Sequence, residues 1–143
     1  MGALIFYAMT GSVEINKIAE ILEARDYQPI VGILAAVAFL LASLGFKLSQ
    51  VPFHTWTPDV YEGSSAAMAG YMSIVPKISG FVVAIRLFEF LVHADIAWVQ
   101  NILYIVAVVT MTLTNIMALV QQDVKRMLAY SSISHAGFVM SAI

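Results

Sequence analysis

The sequence predicts an all-α, polytopic transmembrane helix bundle that contains one broken helix. Three observations predict it. Of 143 residues, 61% are hydrophobic and 11% charged, with a mean hydropathy of +0.88; a soluble domain is about half apolar and a quarter charged. The apolar residues gather into runs of about 20, long enough at 1.5 Å per residue to cross a ~30 Å hydrocarbon core. The first complete run is followed by two prolines six residues apart, through which no helix passes undisturbed.

Residues 1–10 (MGALIFYAMT) are apolar, too short to span, and read as the end of a helix. No basic n-region precedes them, so they do not read as a signal peptide. Residues 11–28 hold six of the sixteen charges. Within them Val13, Ile15, Ile18, Ile21 and Leu22 fall near helical spacing and Ser12 is a candidate N-cap, which predicts a surface amphipathic helix over 12–25. Residues 30–50 form the first full span, and residues 51–64 (VPFHTWTPDVYEGS) the break, with Pro52, Pro58 and Gly63. Trp56 and Tyr61 are of the type found at membrane interfaces. Residues 66–92 form the second span, with Pro76 and Lys77 near its middle and Arg86 and Glu89 spaced to pair on one face. Residues 97–120 form an uncharged third span. QQDVKR (121–126) reads as a polar loop, and 127–143 as the start of a fourth span. The apolar character of both ends predicts a fragment of a longer protein.

Net charge is −2, so no basic face for nucleic acid is expected. Cysteine is absent, which excludes disulfides and thiolate chemistry. No P-loop, GxGxxG or HExxH motif occurs, and the histidines fit no haem pattern. Basic residues tie between the 11–28 segment and the QQDVKR loop; the latter is the net basic one and is placed on the cytoplasmic side.

The residues that bear chemistry are the ionised ones inside the spans. A lysine near the bilayer centre costs about 2.5–3.5 kcal/mol on insertion scales, and persists where it faces water or a partner within the bundle. An amine stripped of water gives up its proton more readily, which is the basis of a proton relay. Lys47 and Lys77 are the candidates, although Lys47, late in its run, can instead snorkel to the interface. His54 follows Lys47 by seven residues, two turns of a helix, and titrates in a range suited to proton transfer; it can equally be a polar residue bonded to carbonyls freed by the break. His135, near Ser131, Ser132 and Ser134, has the same two readings. His93 and Asp95 read as a solvated loop. Asp59 and Glu62 read as wet residues near a membrane surface, able to brace the break. Broken helices mark ion sites in transporters, where freed carbonyls and half-helix dipoles meet the ion.

The stretch from Gly45-Phe46-Lys47 through Pro52-Phe53-His54-Thr55-Trp56-Thr57-Pro58-Asp59-Val60-Tyr61-Glu62-Gly63-Ser64 resembles the antiporter-like membrane subunits of proton-pumping NADH:quinone oxidoreductase, subunit N in particular. Ser73-Ile74-Val75-Pro76-Lys77 and the run from Asp123 to Gly137 (DVKRMLAYSSISHAG) resemble it as well. The match covers essentially the whole chain, except that Ser64-Ser65-Ala66-Ala67 departs from the Ser-Pro-x-Pro common in the family.

The resemblance implies an antiporter-like bundle of about fourteen helices with two inverted repeats, of which this chain is the middle portion. It implies proton translocation coupled to quinone reduction in other subunits. Lys47 would be the lysine on the broken helix, Lys77 the central lysine, and His54 and His135 members of the polar axis. A partner glutamate would lie upstream. NADH, flavin, iron–sulfur clusters and quinone would be bound by other subunits, with no cofactor or metal here. The implied location is a bacterial inner membrane, and the implied partners are other membrane subunits and the lipid bilayer. Two rival functions share the same residues: a cation/proton antiporter subunit and a membrane scaffold without transport.

Overall fold

Among the described residues the apolar runs and the proline-marked break become seven helices: α1 (Gly2–Thr10), α2 (Ile15–Ala24), α3 (Ile30–Leu48), α4 (Trp56–Gly63), α5 (Ala66–His93), α6 (Ala97–Leu119) and α7 (Val124–Met140). The computed structural model describes residues 1–12, 14–24, 30–93 and 97–142. The chain is all-α, with no strand among the described residues, and three of its helices are long and apolar enough to cross a membrane: Val31–Leu48, Ala66–Phe88 and Val99–Leu119. Val13, Arg25 and Asp95 lie outside the described residues, as do the side chains of Leu22, Glu89 and His93. The Arg86–Glu89 pairing and the His93–Asp95 loop therefore fall outside them too.

Burial is inverted relative to a soluble protein. The buried core includes small residues, Ala36, Ala84 and Ala107, beside Leu48, Phe88 and Leu103. Large apolar side chains such as Val31, Ile74, Ile78, Val82, Ile105 and Ile116 point outward. An exposed apolar surface of this extent is stable against lipid or further helices and not against water. Small residues at the seams let backbones approach, which drives packing where no hydrophobic gain separates helix from solvent.

The α6–α7 seam shows this directly. A Cβ at Gly137 would lie 2.8 Å from Met111 Cγ and 3.3 Å from the Ala107 carbonyl oxygen, so only glycine fits there without displacement. Gly137→Leu is expected to push the two helices apart and cost about 1–3 kcal/mol. It would show as a lower thermal unfolding midpoint of the full-length protein in detergent.

Local capping sets two boundaries. α7 starts at Val124, before the expected position 127, because Asp123 Oδ1 accepts from the backbone amides of Lys125 at 2.8 Å and Arg126 at 3.1 Å. That N-cap draws part of the polar loop into the helix and is worth about 1 kcal/mol. α2 starts at Ile15, and Ser12 Oγ accepts from the Glu14 amide at 3.2 Å, so the serine closes a turn ahead of the helix instead of capping it. α2 packs on α1 and α5, with Ile18 buried and an exposed Lys17–Glu14 ion pair at 2.7 Å.

Candidate functional site

The break begins where α3 stops, at Leu48. Ser49 has φ +58°, the left-handed conformation that usually falls to glycine. The amide of Gln50 then donates to the Gly45 carbonyl at 2.7 Å and that of Ser49 to the Phe46 carbonyl at 3.2 Å. These two bonds are the Schellman pattern of helix termination, built here on serine. Ser49 is fully buried, and its Oγ accepts from Thr57 Oγ1 at 2.6 Å. The hydroxyl thus ties the end of α3 to the first turn of α4.

The prolines divide the remaining work. Pro52 lies within the irregular residues 49–55, while Pro58 sits in the first turn of α4, where the missing amide hydrogen has no helical partner to lose. The Val51 amide donates to Thr110 Oγ1 of α6 at 3.1 Å. Trp56 Nε1 donates to the Phe46 carbonyl at 3.2 Å, and its ring stacks on Phe46 with centroids 5.3 Å apart. The Gly45 and Phe46 carbonyls freed by the break are therefore taken up by the protein itself.

Lys47 and His54 do not share a helical face. The helix ends one residue after Lys47, so the seven-residue spacing is not two turns. Lys47 is exposed and, among the described residues, makes no hydrogen bond or ion pair. A Cβ at Gly80 of α5 would lie 3.7 Å from its Cγ, so its stem runs along α5, one turn from Lys77. His54 is buried with Nδ1 unpartnered.

Lys77 is the buried cation. It is 7% exposed and lies on α5 directly after Pro76, which has no amide hydrogen for the Met72 carbonyl yet leaves the helix continuous. Its Nζ donates to Ser132 Oγ at 2.7 Å and to the Ser132 carbonyl at 2.9 Å. Ser132 also shares a side-chain hydrogen bond with the buried Tyr61 of α4. Having accepted from Lys77, the serine hydroxyl keeps one proton to donate to the tyrosine. No carboxylate among the described residues pairs with Lys77.

A cavity of about 650 Å³ runs past this cluster between α4, α5 and α7. Tyr61, Lys77, Lys125, Ser131, Ser132 and His135 contribute its polar lining, with Ile74, Phe81 and Val139 among the apolar residues. His135 is exposed towards it and tilts against Phe138 with ring centroids 6.1 Å apart. The structure thus brings Lys77 and His135 to one cavity and sets His54 apart in the break.

Asp59 and Glu62 are paired, not merely wet. Arg126 at the start of α7 reaches Glu62 Oε2 at 2.6 Å and Asp59 Oδ1 at 3.0 Å. Lys125 Nζ donates to the Ser64 carbonyl at 3.0 Å and the Glu62 carbonyl at 3.4 Å. The Glu62 hydrogen bond, with the charges of Glu62 and Asp59, holds the Arg126 guanidinium above its ordinary pKa. This exposed network clamps the C-terminal end of α4, which carries Tyr61, to the first turn of α7. Exposed pairs contribute little individually, because solvent screens them. Arg126→Gln is therefore expected to loosen α4 without unfolding the bundle, read as faster amide hydrogen exchange along α4 than along α6.

Sequence reasoning missed Ser49, Gln50, Thr57, Thr110 and Thr114, all buried polar residues around the break. Thr110 and Thr114 lie one turn apart on the uncharged α6, with Thr114 Oγ1 donating to the Thr110 carbonyl at 2.6 Å. Gln50 Oε1 and Nε2 have no partner, and an unpaired buried group costs about 1–3 kcal/mol. Among the described residues no cluster of three or more His, Asp or Glu side chains is arranged to hold a metal ion.

The family model for the NADH:quinone oxidoreductase/Mrp antiporter transmembrane region matches residues 1–143. The NADH-quinone oxidoreductase subunit N of Sulfurimonas denitrificans is 70% identical over 99% of the chain, which spans 28% of that relative's length. A subunit of respiratory complex I from Thermus thermophilus, solved with bound aureothin, superposes with a TM-score of 0.74 at 32% identity. That match covers 96% of this chain and 28% of the subunit. A subunit of the Mrp complex from Dietzia sp. DQ12-45-1b gives a TM-score of 0.79 at 23% identity, over 98% of this chain and 25% of the other, a likeness of fold alone. The resemblance read from the Lys47–Ser64, Ser73–Lys77 and Asp123–Gly137 motifs is thereby borne out. The chain belongs to the NADH:quinone oxidoreductase/Mrp antiporter family of transmembrane proteins, among relatives named subunit N.

Proposed function

We propose that this chain is the relay-bearing middle portion of a proton-translocating subunit N, working in a bacterial inner membrane with other membrane subunits of an NADH:quinone oxidoreductase. The single observation that carries the reading is Lys77. It is a buried cation in a spanning helix whose described partners are one serine hydroxyl and one carbonyl. An ion held this way has given up hydration without gaining a countercharge, the setting that a proton-passing amine requires. Structural lysines in membranes are instead paired or reach the interface.

Lys77 would then take a proton from the Lys47 side and release it along Ser132, towards Tyr61 or towards the cavity that holds His135. Ser132 accepts from Lys77 and donates onward, so it conducts without being charged. Lys47 would load from a carboxylate elsewhere in the full-length protein. His54 would stand at the break, with Pro52 and Pro58 shaping it. Quinone reduction and the binding of NADH, flavin and iron–sulfur clusters would take place in other subunits and reach this one through conformational and electrostatic change. The paired α4 and α7 ends at Asp59, Glu62 and Arg126 would face the cytoplasm.

The test is proton pumping by the assembled complex in inside-out vesicles, with Lys47→Ala or Lys77→Ala in the full-length subunit. Loss of pumping in complexes that still assemble supports the reading. Unchanged pumping in both variants would leave a scaffold.

A further inference from the structure

We infer that Tyr61 is a positioning residue for the relay lysine: its phenol holds the Ser132 hydroxyl in the orientation that offers its oxygen to Lys77. The inference rests on the relay proposed above. Tyr61 lies on α4 and is 4% exposed, it shares a hydrogen bond with the Ser132 side chain, and both residues line the cavity. Ser132 Oγ in turn accepts from Lys77 Nζ at 2.7 Å.

The orientation is not one a helical serine takes by itself. Serine hydroxyls tend to bond back to a carbonyl one turn earlier in their own helix. Ser43, Ser73 and Ser79 do so here, donating to the Leu40, Gly70 and Pro76 carbonyls at 3.3, 2.7 and 2.9 Å. Ser132 makes no such bond among the described residues; its side-chain partners are Lys77 and Tyr61. An ammonium only donates, so the serine oxygen must face it and the single hydroxyl proton must go elsewhere. Tyr61 takes that proton. Without the phenol oxygen, the hydroxyl is free to turn back to the Leu128 carbonyl, four residues earlier, and its oxygen swings away from Lys77.

The short helix α4 is the mount for this phenol. Its first turn is tied to the end of α3 by the Thr57–Ser49 bond at 2.6 Å. Its last turn is held by Arg126, which reaches Glu62 at 2.6 Å and Asp59 at 3.0 Å, and by Lys125, which donates to the Ser64 carbonyl at 3.0 Å. Tyr61 sits between these anchors. The half-helix after the break thus connects the break to Lys77 through one side chain. A residue that only filled space there would be served by phenylalanine, and a buried phenol calls for a partner.

The test uses the assembled complex with the full-length subunit, in inside-out vesicles. Tyr61→Phe keeps the ring and deletes the phenol oxygen. It is expected to slow proton pumping about two- to tenfold, the factor set by the net worth of one hydrogen bond. Because Tyr61 acts through Ser132, the double variant Tyr61→Phe/Ser132→Ala is expected to pump at the rate of Ser132→Ala alone, whereas a packing role would make the two losses multiply. Tyr61→Phe or Ser132→Ala pumping as wild type, or losses that multiply in the double variant, overturns the inference. A high-resolution map of the wild-type complex is expected to place the Tyr61 oxygen within hydrogen-bonding distance of Ser132 Oγ. A map that separates them overturns the inference as well, and the map decides if Tyr61→Phe does not assemble. Lys77→Ala is run alongside: if it abolishes pumping while Tyr61→Phe pumps as wild type, the positioning role fails and the relay stands. If Lys77→Ala pumps normally, the relay fails, and the positioning role with it.

Discussion

Lys77→Ala in the full-length subunit is expected to cut proton pumping by about a hundredfold or more, the scale on which a positioned proton-transfer group contributes. The expectation rests on the absence of a substitute. The described part of α5 offers no second ionisable side chain near Ser132, whose hydroxyl and carbonyl would be left facing the cavity without their donor. Alanine removes a buried cation from a spanning helix and so relieves an insertion cost of about 2.5–3.5 kcal/mol. The variant is expected to assemble, and its loss of pumping is then not a folding defect. Ser132→Ala is a milder version, since the Ser132 carbonyl still holds the ammonium at 2.9 Å.

The second large effect is expected at the break. Ser49→Val places a β-branched residue at φ +58°, where even unbranched L-residues are strained by about 1–2 kcal/mol. It also deletes the 2.6 Å acceptor of the buried Thr57 hydroxyl, leaving an unpaired group that costs about 1–3 kcal/mol. β-branching adds to the left-handed strain that serine already carries, so the lost acceptor sets the scale, about 1–3 kcal/mol against the break. The helix end would unwind or run on, and α4 would keep only the Trp56–Phe46 contact as its anchor to α3. A lower thermal midpoint of the detergent-solubilised full-length protein checks it. Ser49→Gly separates the two contributions: it relieves the backbone strain but still lacks the acceptor, so its midpoint is expected to fall between wild type and valine.

Much of this was legible in the sequence because the signals are local. Runs of about 20 apolar residues mark the spans, and α3, α5 and α6 occupy them. A lysine in the middle of such a run stands out without any knowledge of its neighbours, and Lys77 is buried. Pro52 announced the break.

What escaped was whatever depends on contacts across the fold. The pairing of Arg126 with Asp59 and Glu62 joins residues on α4 and α7 that no local pattern connects, so the two acids read as solvated. Serine at a left-handed helix end carries no signal like that of glycine, and with the stop at Leu48 unseen, Lys47 and His54 looked two turns apart on one face. Thr110 and Thr114 sit in an uncharged span and become polar anchors only because the break docks on α6. Gln50 escaped for a similar reason: it is the last residue of the first apolar run, and only the packing shows it buried.

The central claim is that Lys77 works by giving up its proton, not by supplying a fixed positive charge. The most direct measurement is proton pumping by the assembled complex carrying Lys77→Arg, followed in inside-out vesicles. Arginine keeps the charge and can still donate to Ser132, but it does not deprotonate in proteins. The relay predicts that Lys77→Arg pumps as poorly as Lys77→Ala. Pumping restored to the wild-type rate by arginine would contradict it and assign Lys77 a purely electrostatic or structural role.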